Sequence, residues 1–149
     1  MITVRTLSVC QLSQDPDFSR LANAYASESA LPEIGAAFPD LEQYQAMEDA
    51  RLLTIIAAYH DGALVGLINL IVATLPHYGK PVATTESFFV FREYRKSGAA
   101  KLLLDHAKGL AKAKGAAALL VCAPLDGALD KVLPIWGYRA TNNVYAAVL

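Results

Sequence analysis

The chain of 149 residues has only two cysteines, Cys10 and Cys122, far apart and in no C-x-x-C pair, which excludes a disulfide framework. Both read as small residues held reduced in the core. With no long apolar segment following Met1-Ile2-Thr3-Val4-Arg5, they point to the cytoplasm. Excess charge of either sign is also missing: 13 basic residues stand against 14 acidic ones, a net charge of −1. The broad positive field that nucleic acid or an anionic membrane surface calls for is therefore absent. No apolar run reaches membrane-spanning length without a polar break. His60, His77 and His106 form neither H-E-x-x-H nor a cluster with cysteine, so no metal site is expected. G-x-G-x-x-G and G-x-x-x-x-G-K-[ST] do not occur, which counts against a nucleotide-binding reading. Repeats and low-complexity linkers are lacking too, and residues 1–149 read as a single domain.

What is present is 54% hydrophobic residues, enough for a sheet covered on both sides. Ile2 to Leu7 reads as a first strand, and Phe18, Leu21, Ala22 and Tyr25 recur at helical spacing after Asp15-Pro16-Asp17. Leu31 to Gly35 breaks that pattern. Asp40 then starts a short helix that carries Leu41, Tyr44 and Met47 inward. Leu52–Tyr59 and Leu64–Leu75 flank Asp61-Gly62, a strong hairpin signal, and Val82–Phe91 returns as a fourth strand after a loop at Pro76–Pro81. In the helix that follows, Ala100, Leu103, Leu104, Ala107, Leu110 and Ala111 share one face, and Gly115 suits its C-terminus. Ala116–Ala123 reads as a buried fifth strand, Asp126–Leu133 as a short helix, and the chain is expected to close with a strand pair around Arg139 and Val144–Leu149.

The junction of the fourth strand and the long helix carries the chemistry. Arg95-Lys96-Ser97-Gly98-Ala99-Ala100 takes the chain from strand to helix within a few residues, which aims unpaired backbone N–H groups and the positive end of the helix dipole at one point. An anionic group fits there. Gly98 lets the backbone approach it closely, Ala99 and Ala100 keep the first turn narrow, and Arg95 and Lys96 add positive charge. Lys101 is a further candidate, although charged residues on a helix usually form its solvated face.

This R-x-x-G-x-A run, preceded by Glu93-Tyr94 and an apolar strand, resembles the acyl-CoA binding motif of the GNAT family of N-acetyltransferases, and Trp136-Gly137-Tyr138 resembles the family's "lGF" ending. The stretch Thr84–Val90 also resembles small bacterial and bacteriophage members. The resemblance implies an α/β GNAT fold: a mixed, mostly antiparallel sheet splayed between strands four and five and flanked by helices. It implies acetyl-CoA as cosubstrate, with the pyrophosphate on the Arg95–Ala100 turn and the pantetheine arm along Phe88, Phe89 and Val90. The expected partner is a small-molecule or peptide amine, and a homodimer through the C-terminal strands is left open. Leu31–Pro39 and Gly79–Pro81 are the segments expected to shape the acceptor pocket.

An alkyl amine is mostly protonated near neutrality, so attack on a thioester is helped by a base. Glu86 is the candidate, with the alternative that strand alternation turns it outward as a solvated charge. The family's usual general acid, a Tyr four residues before the glycine of the closing motif, corresponds here to Leu133. Tyr145 is a substitute candidate, beside a plain role as a strand aromatic. The missing Tyr also admits a second reading, a CoA-binding or interaction module that has lost turnover.

Overall fold

The computed structural model describes residues 1–149 throughout. Five strands, β1 (Ile2–Leu7), β2 (Leu53–His60), β3 (Ala63–Leu75), β4 (Lys80–Val90) and β5 (Leu119–Leu120), lie side by side in chain order. The first four pair antiparallel, and β5 joins β4 in parallel. The β2–β3 hairpin turns on Asp61 (φ 49°) and Gly62 (φ 90°), the two left-handed residues that a type I′ turn requires. β2 is buried almost end to end and β3 from Leu64 to Leu70, which requires cover on both faces. Helices α2 (Phe18–Ser29) and α3 (Leu41–Asp49) pack on one face and α4 (Ala99–Ala113) on the other, around a single cluster of 25 buried residues.

α4 follows its sequence pattern: Ala99, Leu103, Leu104, Ala107 and Ala111 are buried, and Lys101, Asp105 and Lys108 are exposed. Its end is a Schellman motif, with Ala116 N–H on the Ala111 carbonyl, Gly115 N–H on that of Lys112, and Gly115 at φ 76°. At the start of α3 the Asp40 side chain accepts from the Gln43 N–H at 3.0 Å.

One element was not anticipated, and three sequence expectations require correction. A short helix, α1 (Val9–Ser13), follows β1, and its signal was legible: Ser8 and Gln11 form a reciprocal capping box. The fifth strand is two residues long instead of spanning Ala116–Ala123, because β4 bends away just beyond Thr84 and leaves β5 without a partner. The closing strand pair does not form. From Arg139 to Leu149 the chain is irregular and exposed, since the two-residue β5 offers too short an edge to template another strand. Neither cysteine is in the core: Cys10 lies on the outer side of α1, whose inner side is Val9 and Leu12, and Cys122 lies past the end of β5. The last short helix, α5, is confined to Ala128–Val132. No helix is long and apolar enough to cross a membrane.

Candidate active site

The bend in β4 has a definite cause. In the β3–β4 ladder Asn69 pairs with Ser87 while its neighbour Leu70 pairs with Thr85, so Glu86 is an extra residue with no partner, the centre of a β-bulge. A bulge kinks its strand and re-aims a side chain, and both effects are visible. Beyond it β4 loses β5: the last ties are the Thr84–Leu120 pairing and a bond from the Cys122 N–H to the Thr85 hydroxyl at 3.1 Å. From Glu86 to Val90, one edge of β4 has no neighbouring strand.

Alternation identifies the free groups on that edge. The Phe91 N–H donates to the Val65 carbonyl on β3, so Phe89, two residues back, faces the same way. Phe88 and Val90 therefore turn their backbone groups to the open edge. This divides the three residues expected to line the pantetheine arm, with Phe89 contributing its ring against Tyr25 of α2 and Phe91 instead of a backbone donor. The Val90 carbonyl is not idle, since it accepts from Arg95 Nε at 3.0 Å.

The turn itself begins with a single 3-10 turn (Arg92–Tyr94) and reaches α4 through Gly98 at φ +87°, a conformation that favours glycine. A Cβ placed there would meet open space, so the surface over Gly98 is clear for a ligand. The amides of Gly98, Ala100 and Lys101 have no hydrogen-bond partner, whereas that of Ala99 donates to the Ser97 hydroxyl at 3.3 Å, which in turn donates to the Tyr94 carbonyl. Three free amides and a helix dipole converge there, an arrangement that suits an anionic group. The side-chain cations are less available: Arg95 is paired with Glu28 of α2, and Lys101 with Asp105 at 2.7 Å. Lys96 is exposed and makes no ion pair.

Glu86 is exposed, and its carboxylate also faces α3 and takes several hydrogen bonds. Tyr44 Oη lies 3.0 and 2.9 Å from its two carboxylate oxygens, the Ser87 hydroxyl donates to Oε2 at 2.6 Å, and Asn69 Nδ2 lies 3.4 Å from Oε2. Tyr44 holds its proton more tightly than an ordinary phenol, chiefly through burial, with the charge of Glu86 adding to the effect. Sequence reading placed Tyr44 inward but gave it no part in the site; the bulge that aims Glu86 at it leaves no trace in a single sequence.

Other candidates lie elsewhere. Tyr145 is 88% exposed in the irregular C-terminal segment and has no hydrogen bond to Glu86 or β4. Leu133, at the position of the family's usual Tyr, is buried in the core, with Trp136 and Tyr138 packed against the same cluster. His77 stacks edge-on against Tyr78 in the β3–β4 turn, beside Gly79–Pro81. That turn precedes Glu86 by six or more residues, roughly 20 Å along the strand. Leu31–Pro39 bridges α2 and α3 and exposes Ile34 and Phe38.

A splayed sheet edge, an amide-lined turn and a held carboxylate together suit acyl transfer from a cofactor with an anionic handle. The chain belongs to the GNAT family of acetyltransferases, whose model matches residues 17–129. No curated protein matches it. Among solved structures it is similar to a ribosomal-protein-alanine N-acetyltransferase from Brucella melitensis biovar Abortus, with 20% identity, TM-score 0.74, and coverage of 100% of this chain and 99% of that one. An aminoglycoside acetyltransferase from an uncultured soil metagenomic sample, in complex with sisomicin, is 19% identical at TM-score 0.75, with 99% and 96% covered. The aminoglycoside N-acetyltransferase AAC(6')-Iy in complex with CoA is 19% identical at TM-score 0.76, with 99% and 93% covered.

Proposed function

We propose that the protein transfers an acetyl group from acetyl-CoA to a primary amine of a small molecule or peptide, with Glu86 as the base. The observation that carries this reading is the position of Glu86 at the bulge where the free edge of β4 begins. The turn amides of Gly98, Ala100 and Lys101 would hold the pyrophosphate, with Lys96 nearby, and the open backbone groups of Phe88 and Val90 would hold the pantetheine arm. When bound, acetyl-CoA supplies the thioester carbonyl that the amine attacks. An N–H on the open edge, from Phe88 or Val90, is the donor for the developing oxyanion. Glu86 takes one proton from the acceptor's ammonium, and the second leaves the nitrogen after attack and ends on the departing sulfur. Charge balances with one proton released to solvent. The Leu133 position provides no phenol for that last transfer, so water is the donor to the thiolate.

The test is calorimetric titration with acetyl-CoA of the parent and of Gly98→Glu, which places an anion in the cradle, followed by turnover of Glu86→Gln with an amine panel. Binding on the order of micromolar that Gly98→Glu abolishes is expected. Glu86→Gln should keep that affinity and lose about 10²- to 10⁴-fold in rate, the usual contribution of a positioned base. An equally fast Glu86→Gln across pH would sink the assignment. The apolar residue at position 133 favours one alternative, a CoA-binding module without turnover, for which tight cofactor binding would come with no product from any amine.

A further inference from the structure

Asn69 Oδ1 is the one buried side-chain polar atom in the protein without a hydrogen-bond partner. The residue is 4% exposed, pairs across the sheet with Ser87, and directs Nδ2 at Glu86 from 3.4 Å. An orphaned buried carbonyl is destabilising, a cost that an apolar side chain would avoid. Its position beside the base gives it a use.

The cluster must serve two states of Glu86. When ionised, the carboxylate accepts from Tyr44, Ser87 and Asn69, all of them donors. When protonated, one oxygen becomes a donor; the Tyr44 and Ser87 hydroxyls and solvent can accept from it, and Asn69 Oδ1 is the one acceptor beside it that is buried and has no partner of its own. A half-turn of the amide about its terminal torsion exchanges Nδ2 and Oδ1. The oxygen has no bond to lose, and the nitrogen gives up a contact of 3.4 Å, long for a hydrogen bond. The turn carries the amide N–H groups into the unpartnered place, so it is favoured only while the acid form of Glu86 donates to the oxygen. The groups facing Glu86 are Tyr44 from α3, Asn69 from β3 and Ser87 from β4, so no second carboxylate or cation competes for control.

We propose that Asn69 is a positioning residue that turns from donor to acceptor as Glu86 takes up the proton of the acceptor's ammonium. The proton moves from nitrogen to Glu86 Oε2, the Asn69 carbonyl receives it as a hydrogen bond, and the nitrogen lone pair is left free to attack. The inference rests on Glu86 being the base.

The test follows the Glu86 carboxyl by ¹³C NMR in glutamate-labelled protein, its resonance assigned with Glu86→Gln, in the parent, Asn69→Leu and Asn69→Asp. Asn69→Asp keeps the size and Asn69→Leu the branched shape with added bulk, and thermal melts check that each variant folds. In Asn69→Leu, Tyr44 and Ser87 still favour the carboxylate while the acid form loses the amide oxygen as an acceptor. The Glu86 titration midpoint should fall by about half to one pH unit, the equivalent of one hydrogen bond. In Asn69→Asp the two carboxyls share a proton, so the upper step of the pair should lie above the parent's midpoint. An unchanged or raised midpoint in Asn69→Leu overturns the role of Asn69. The acidic limb of the kcat/KM profile should move with the NMR midpoint. A limb that stays put while the midpoint moves overturns Glu86 as the base and leaves its coupling to Asn69 standing.

Discussion

Arg95, the residue whose charge the sequence points at a cofactor, is paired with Glu28 of α2 and donates from Nε to the Val90 carbonyl at 3.0 Å. One guanidinium thus ties α2 to the end of β4, and Glu28 neutralises part of the charge beside the cradle. Both partners are about one-third exposed, so the pair itself is worth about 0–1 kcal/mol. Glu28→Gln should destabilise the protein only slightly and tighten acetyl-CoA binding about two- to five-fold at low salt, an advantage that shrinks as ionic strength rises. Calorimetry at two salt concentrations decides it. Weaker binding would mean that Arg95 needs Glu28 to hold its place.

Gly66 controls the other side of the same strand. It pairs with Val90, and a Cβ there would lie 2.7 Å from the Phe89 carbonyl oxygen and 2.8 Å from Val90 Cγ2. The oxygen is backbone and cannot swing aside. Gly66→Ala should therefore cost about 1–3 kcal/mol of stability, as overpacking does, and should weaken acetyl-CoA binding by displacing the Phe88–Val90 edge. Urea unfolding alongside calorimetry checks both. A stable variant with full affinity would show that β4 tolerates a shift at this point.

What could be read from the sequence divides by the range of the forces involved. The Asp61-Gly62 hairpin, the apolar face of α4, the Asp40 cap and the glycine at position 98 are local consequences of side-chain type and spacing, and each stands where it was expected. Glu86 was legible as a candidate, but not the direction of its side chain. That depends on a one-residue mismatch between β3 and β4, which only the pairing of two strands defines. For the same reason neither Tyr44 nor Asn69 could be connected with Glu86, since they meet it from separate elements 42 and 17 residues away. The overlong fifth strand followed from apolar composition alone, which cannot register that the neighbouring strand bends away.

The cysteines give a direct check on that last point. Cys10 and Cys122 are both exposed, and Cys122 stands where β5 parts from β4, next to Thr85. Two thiols per chain should react with an aromatic disulfide reagent in the native protein, without denaturant. Excess acetyl-CoA should slow the reaction at Cys122 and leave Cys10 unaffected, a difference read by mass spectrometry of the labelled peptides. A native protein with no reactive thiol would place both residues in the core after all.

Tyr44 yields a prediction about pH whose sign can be worked out. Burial first, and then the charge of Glu86, raise its ionisation above the ordinary value near 10, so the folded state binds the phenolic proton more tightly than the unfolded chain does. The stability this brings is complete below pH 10 and disappears as the pH climbs through the raised value. Tyr59 and Tyr138 are shifted in the same direction, again mainly by burial, and add to the loss. Unfolding free energy from urea titrations should accordingly fall as the pH rises above about 10, and Tyr44→Phe should flatten part of that fall. At neutral pH the same variant removes the donor to both oxygens of Glu86. It should slow turnover about ten-fold, the equivalent of one charged hydrogen bond, while acetyl-CoA affinity stays the same. A variant that matched the parent in rate while losing the alkaline difference would make Tyr44 a structural neighbour of the carboxylate and nothing more.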